Sequence, residues 1–409
     1  MADRSVDHLL IGGGLAAANC ARWLREEGGT DSSVLLVGRE PDPPYNRPPL
    51  SKGFMQGKET KEDALFRPDE WWKEQQIELM TGTSVMKLDT SERVATLSNK
   101  EEIAFDKALL ATGSNVRRLR VAGCDLEGIH YLRTFGNSET IRSDAGEAER
   151  IVLIGGSYIA TEVSASLTAS QGKSCSLVMM EDVTLERFYG KEVGGFFQGV
   201  LEEHGIEVHG GQELERFEGS GRVQKVVTKS GLELDCDMVV IGAGVAPDVT
   251  LAKSAGLEIG DAGGVKCSST LESSVPGIYT AGDICEYDSP VHGGPMRIEH
   301  WDVAFNHGKT AAFNMLGNET EHDVVPYFFS DLADWASMEY VGPGSGDVTI
   351  RGSLDDGEFT AFYLDDGEVK AALTVGRSDD LEHATRFVKE HAKPDPAALA
   401  DTGADLSSL

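Results

Sequence analysis

The stretch His8-Leu9-Leu10-Ile11-Gly12-Gly13-Gly14-Leu15-Ala16-Ala17 decides the fold, and its pattern returns 143 residues later as Arg150-Ile151-Val152-Leu153-Ile154-Gly155-Gly156-Ser157-Tyr158-Ile159-Ala160. In each copy a short Val/Ile/Leu run reads as a buried parallel strand, and the residues after the glycines read as a helix. Gly12 permits the tight turn, Gly14 lets the backbone approach a pyrophosphate, and Ala17 lets the helix lie close to the strand. The helix N-terminus then faces the phosphate. One such motif is a weak signal. Two of them, each with an acidic residue downstream, point to two dinucleotides on one chain and to electrons passing between them.

Outward from these motifs the chain reads as α/β. Strand, turn, helix and strand succeed one another at Val6–Ile11, Leu15–Glu27 and Val34–Val37. A further strand ends in Leu109-Leu110-Ala111-Thr112-Gly113. The second unit starts near Ile151, continues at Ser176–Met180 and closes at Asp237–Gly244, and Gly277–Asp283 is another strand running into a turn. This order predicts an interrupted domain: 1–112 and 243–320 form one dinucleotide fold, and 113–242 form the second. From about residue 321 short alternating segments (Val348–Gly352, Phe359–Leu364) and a late helix (Asp380–His391) predict a small C-terminal α+β domain over 321–393. Residues 394–409 hold three Asp and no basic residue, which predicts a disordered tail.

With 409 residues the chain has room for two or three cores. A formal charge of −31 argues against nucleic acid and anionic membranes as partners. It is compatible with a strongly solvated surface in a salt-rich cytoplasm or with an acidic docking face. No apolar run approaches the roughly 20 residues of a membrane span, and no basic-then-apolar leader opens the chain, so the expected location is cytoplasmic. The six cysteines (Cys20, Cys124, Cys175, Cys236, Cys267, Cys285) lack any close pairing, which predicts reduced structural thiols and no metal site.

A third block, Pro44-Tyr45-Asn46-Arg47-Pro48-Pro49-Leu50-Ser51-Lys52, narrows the reading. Together with Leu110-Ala111-Thr112-Gly113, Tyr279-Thr280-Ala281-Gly282-Asp283 and Arg297-Ile298-Glu299-His300-Trp301, it resembles the FAD-dependent pyridine nucleotide-disulphide oxidoreductase superfamily. More narrowly, it is similar to the ferredoxin reductase branch, which includes putidaredoxin and rubredoxin reductases and has apoptosis-inducing factor as a relative. The resemblance implies FAD at the first motif and NADH at the second. On the FAD side it implies contacts from Gly12, Gly14, Ala17, Arg39, Glu40, Arg47, Lys52, Val85, Ala111, Thr112, Gly113, Arg117, Gly282, Asp283, Glu299, His300 and Trp301. Glu40 suits the adenosine ribose hydroxyls, whereas Arg39 has the alternative of lying over the adenine. Lys52 would favour anionic reduced flavin, Asp283 would hold the ribityl chain, and Trp301, opening the helix Trp301–Leu316, would wall the ring. Trp301 as a core aromatic, and Lys52 and Arg117 as surface cations, are the alternatives.

On the nucleotide side the expected contacts are Gly155, Gly156, Ser157, Tyr158, Ile159, Glu162, Glu181, Gly242 and Gly244. Ser157 replaces the second glycine, and its hydroxyl either bonds the phosphate or weakens the fit. Glu162 matches a family position at the nicotinamide–flavin junction, where a Lys52–Glu162 pair is expected. Glu181 stands 26 residues after Gly155, with no cation before Arg187, which predicts NADH over NADPH. With Lys52, Glu162 and Trp301 as the reacting shell and no thiol in the Pro44–Lys52 stretch, electrons leave the flavin directly. The expected acceptor is a ferredoxin or another iron–sulphur carrier, with Arg117, Arg118, Arg120 and Arg297 as candidates for a basic patch. An NADH-responsive binding protein and a quinone or small-acceptor reductase are the other readings, and a homodimer is an open one.

Overall fold

The computed structural model describes residues 2–409 and divides into two compact units. The first comprises the residues up to Asn46, Glu62–Asn115 and Ala246–Pro326. Its central sheet places the strands Ile77–Met80, Val34–Val37, Arg4–Ile11, Glu102–Leu110 and Ile278–Thr280 side by side, all parallel. Ile11 pairs with both Val37 and Leu110, Val37 with Met80 and Leu110 with Thr280, so all five strands end at one level. Such a shared carboxyl edge is where open α/β sheets bind ligands. The motif strand is apolar because both of its faces are covered: Leu9 and Leu10 are fully buried. A hairpin of Val85–Asp89 and Val94–Leu97 adds antiparallel to the early half of Glu102–Leu110.

The helix Leu15–Gly28 buries its alanine-rich stripe against Trp301–Met315. Small residues let the two backbones approach: a Cβ on Gly308 would stand 2.4 Å from the Ala16 carbonyl oxygen. Asn19 Nδ2 donates to the Phe305 carbonyl at 2.7 Å across the same contact.

The second unit comprises Arg47–Lys61, Val116–Val245 and Tyr327–Leu409. Its parallel sheet has the order Glu207–His209, Ser174–Val178, Arg150–Ile154, Met238–Ile241, Ile129–Tyr131. A three-stranded antiparallel sheet follows at Leu214–Ser220, Arg222–Thr228 and Glu233–Asp235. Residues from Tyr327 form a five-stranded antiparallel sheet: Tyr327–Leu332, Ala336–Val341, Glu368–Val375, Glu358–Asp365 and Asp347–Ser353. The helix Asp379–Lys389 packs on it through Ala384, Phe387 and Val388.

The tail departs from expectation. Residues 394–409 are ordered, with a helix at Pro396–Ala400 and a single 3₁₀ turn at Leu406–Ser408. Leu399 and Leu406 are buried, and the Arg351 guanidinium donates to the carbonyls of Leu399, Asp401, Thr402 and Ala404. Asp395 caps the helix by accepting from Ala397 N–H. Composition indicated disorder because it counts charges and overlooks two leucines and a distant arginine. No helix among the described residues is long and apolar enough to cross a membrane.

Candidate cofactor sites

In the first unit the glycines do what close approach demands. Gly12 has φ +132°, and a Cβ there would sit 2.1 Å from the Ala111 carbonyl oxygen. Gly12 N–H donates to Val37 O and Ala111 N–H to Ile11 O, so three strand ends are tied at this turn. Gly14 is the N-cap of Leu15–Gly28 with extended backbone (φ −92°, ψ −179°), no side chain caps it, and its Cβ position opens onto free space. An uncapped N-terminus with orphan N–H groups and room in front fits a pyrophosphate.

Around this turn Gly282 (φ +74°) donates its N–H to Nδ1 of the buried His307, and Thr112 Oγ1 donates to the Asp248 carbonyl. Gly113 also has a positive φ, which lets its carbonyl accept from Asp248 N–H. Asp283 follows Gly282 in a short 3₁₀ turn. The Glu40 carboxylate accepts from the Tyr45 hydroxyl at 2.6 Å. Arg39 is held by Asp248 and Asn115. Trp301 donates Nε1 to Asn46 Oδ1 at 3.0 Å and stacks on Phe305, 5.5 Å away and 10° from parallel. Its indole is half-buried, and His300 forms the N-cap of its helix. Val85 packs half-buried against the core.

Arg297 is corrected. Its side chain is turned inward, donating to the carbonyls of Ala262 and Asp283 and to Glu299, so it supplies no basic patch. Arg117, Arg118 and Arg120, in the second unit, are exposed. Arg117 keeps partners there, donating Nε to Val245 O and its N–H to Gly244 O.

The second unit repeats the turn almost angle for angle. Gly155 has φ +120°, with a Cβ 2.5 Å from the Gly242 carbonyl oxygen. Ser157 caps Tyr158–Gln171 at φ −100°, ψ −179°, within a few degrees of Gly14, and its side chain caps nothing. That backbone is open to any L-residue, so the serine brings no strain and the helix N-terminus stays available to a phosphate. Gly242 approaches Ala160 N closely (3.2 Å from a Cβ built on it), which is why a small residue serves at 160. Gly156 lies against Met179, and Gly244 has φ +83°. Tyr158 donates to or accepts from the Tyr189 hydroxyl at 2.7 Å, and Ile159 lies beside it half-buried.

Glu181 sits after the strand Ser174–Val178, and Arg187 Nε reaches it at 2.9 Å. Six residues of sequence separation concealed this because the chain turns back at the start of Glu186–Glu203. The Glu181 carboxylate therefore has a cation at its side.

The Pro48–Ser51 turn and Lys52 build the most enclosed group. Lys52 Nζ meets Glu162 Oε1 at 2.5 Å, and both side chains are shielded (14% and 4% exposed). Ser51 Oγ donates to Glu162 Oε2 and Ser330 Oγ to Oε1, each at 2.5 Å. The segment is anchored from behind: Ser138 Oγ donates to Leu50 O, Ser166 Oγ to Ser51 O, and Arg47 Nη1 to Arg133 O. Ser51, Ser138, Ser166 and Ser330 were not found from sequence, since a serine in a turn, helix or alternating strand carries no pattern of its own.

All six thiols are free. Burial pushes Cys175 up to about 11 and Cys236 up to about 12, far from the thiolate form that redox chemistry needs. No cluster of metal-ligating side chains occurs among the described residues.

The comparisons agree with this geometry. Residues 6–308 match the pyridine nucleotide-disulphide oxidoreductase family and residues 327–409 the reductase C-terminal family. The chain is 31% identical over 403 residues to the benzene 1,2-dioxygenase system ferredoxin–NAD(+) reductase subunit of Pseudomonas putida, covering 98% of this chain and 96% of that one. The crystal structure of a ferredoxin reductase from Rhodopseudomonas palustris superposes with a TM-score of 0.93 at 29% identity, covering 99% of both chains. The reductase of the covalent putidaredoxin reductase–putidaredoxin complex gives the same score and identity over 100% of this chain and 98% of that one. The resemblance seen in the motifs is borne out, and the chain belongs to the pyridine nucleotide-disulphide oxidoreductase family, with the reductase-type C-terminal domain.

Proposed function

We propose that the chain is an FAD-dependent NADH oxidoreductase that hands electrons to a ferredoxin or rubredoxin in an oxygenase system, working in the cytoplasm. Bound at these sites, FAD and NADH would supply hydride transfer and one-electron release. The observation that carries the reading is the enclosed Lys52–Glu162 pair. Its lysine lies in the Pro44–Lys52 segment in which, by the family resemblance, thiol-using members place a redox cysteine pair.

The chain's own residues have separable tasks. Gly12 and Gly14 open the first helix to the FAD pyrophosphate, while Glu40 accepts from the adenosine ribose and Asp283 from the ribityl chain. Gly155, Gly156 and Ser157 do the same for the nucleotide, with Glu181 accepting from its 2′-hydroxyl. By the family pattern Lys52 would supply a positive charge that favours the reduced flavin, and Trp301 would shield the flavin from water. Arg117, Arg118 and Arg120 are exposed cations that suit an acidic carrier on an otherwise strongly acidic chain. The relatives named for dioxygenase and putidaredoxin systems support this choice of acceptor.

Anaerobic stopped-flow mixing tests it. NADH bleaches the yellow protein faster than the protein turns over, and an iron–sulphur protein reoxidises it faster than quinone or dichlorophenolindophenol does. Preference for the small acceptors would replace the proposal with a quinone reductase. A long-lived charge-transfer band with slow delivery to every acceptor would replace it with an NADH-responsive binding protein. Colourless protein that takes up no flavin refutes it outright.

A further inference from the structure

Glu162 lies on Tyr158–Gln171 and is 3% exposed, yet its carboxylate accepts from three side chains and donates to none. Ser51 and Lys52 come from one turn. The third donor, Ser330, comes from Tyr327–Leu332, the first strand of the C-terminal sheet, and is equally buried. Its neighbours grip the same surroundings. Phe329 lies 5.7 Å below Lys52 Nζ, and Phe328 packs 4.5 Å from Tyr158, which opens the helix carrying Glu162. One strand thus touches the carboxylate, the ammonium and the start of the supporting helix.

We infer that Ser330 is a positioning residue for flavin reduction, fixing the Lys52 ammonium through the carboxylate oxygen they share. This rests on the reading above, which puts the Lys52–Glu162 pair at the reacting centre. The physical reason is the small number of ways a carboxylate can be immobilised. With Ser51 on Oε2 and Ser330 on Oε1, the carboxylate plane cannot turn without breaking a buried hydrogen bond. Lysine has no such rigidity: its four-carbon stem carries three rotatable donors that follow whichever oxygen is offered. Removing the Ser330 hydroxyl leaves Oε1 to Lys52 alone and frees the carboxylate to swing about Oε2. The ammonium then samples several places. A charge is useful to a transition state only when it is already where the charge develops. Ser330 therefore bears on the rate of reduction. Nucleotide affinity, set at the Gly155–Ser157 turn and Glu181, is unaffected.

The test is a set of flavin-loaded full-length variants: Ser330→Ala, Ser330→Thr, Lys52→Met and Glu162→Gln. Each is assayed for limiting reduction rate at saturating NADH, NAD⁺ affinity by flavin-perturbation titration, flavin content and Tm. Ser330→Ala is expected to reduce about tenfold more slowly, the loss of one hydrogen bond to a charged group, with NAD⁺ affinity and flavin content unchanged. Ser330→Thr, which keeps a hydroxyl, restores most of the rate. A wild-type rate in Ser330→Ala while Lys52→Met and Glu162→Gln are slow overturns the positioning role. Weaker NAD⁺ binding at an unchanged limiting rate, or loss of flavin, overturns it equally, because Ser330 would then serve binding or folding. Wild-type rates in all the variants overturn instead the assignment of the pair to the reacting centre.

Discussion

Acid should loosen the first unit through His322 before its carboxylates titrate fully, and the size of the effect follows from where that ring sits. His322 is buried, its Nδ1 lies 3.0 Å from Thr310 Oγ1, and its ring stands edge-on to His307 at 4.4 Å and to Tyr287 at 5.2 Å. Burial holds the imidazole down to about 4, against a small opposing pull from Asp323. The neighbouring His307 is also held well below its ordinary value, by burial and then by His322. Its Nδ1 accepts from Gly282 N–H, a bond that a protonated ring would lose. For a depressed histidine the sign is fixed: stability is present above the unfolded value near 6.5 and lost as pH falls toward the folded one. Between pH 7.5 and 5.0 His322 alone should remove about 2 kcal/mol. Urea unfolding followed by tryptophan fluorescence reads the correct unit, since Trp23, Trp71, Trp72 and Trp301 lie in it and only Trp335 lies elsewhere. His322→Gln keeps an acceptor for Thr310 and removes the titration. Its stability should fall by about 2 kcal/mol less than that of the parent over the same interval. Equal losses in the two proteins would refute the assignment.

Three further outcomes are expected. Gly12→Ala places a methyl 2.1 Å from Ala111 O at a φ of +132°, and should destabilise by more than about 2 kcal/mol, seen as lost flavin absorbance after purification. Arg187→Ala releases the Glu181 carboxylate and removes the cation seen beside it, so the kcat/KM ratio of NADH to NADPH should rise by about fivefold; an unchanged ratio would mean the pair is a surface contact only. Arg351→Ala leaves four tail carbonyls without their donor, so limited proteolysis should trim the chain from about Pro394, with about 3 kcal/mol lost from the second unit.

The parts legible in the sequence are those whose cause is local. The strands at Arg4–Ile11 and Arg150–Ile154 follow from unbroken apolar runs, and the turns at Gly12 and Gly155 from a backbone angle that glycine alone accepts readily. The C-terminal strands show as alternation. What stayed hidden depends on partners far along the chain. Glu162 and Ser330 lie 168 residues apart, and Arg351 lies 48 to 53 residues from the carbonyls it binds. The expected Lys52–Glu162 contact came from a family pattern, since spacing alone could not place two residues 110 positions apart. Ser157 was ambiguous because its tolerance depends on φ and ψ, which a residue name does not carry.

The matched angles at Gly14 and Ser157 bear on how such a protein could be redesigned. Saturation libraries at these two sites would vary the chemistry offered to each phosphate while sparing the scaffold, since neither position asks for a missing Cβ. Libraries at Gly12 or Gly155, two residues upstream, would mostly return misfolded chains. Cofactor retuning has its freedom at the cap and almost none at the bend before it.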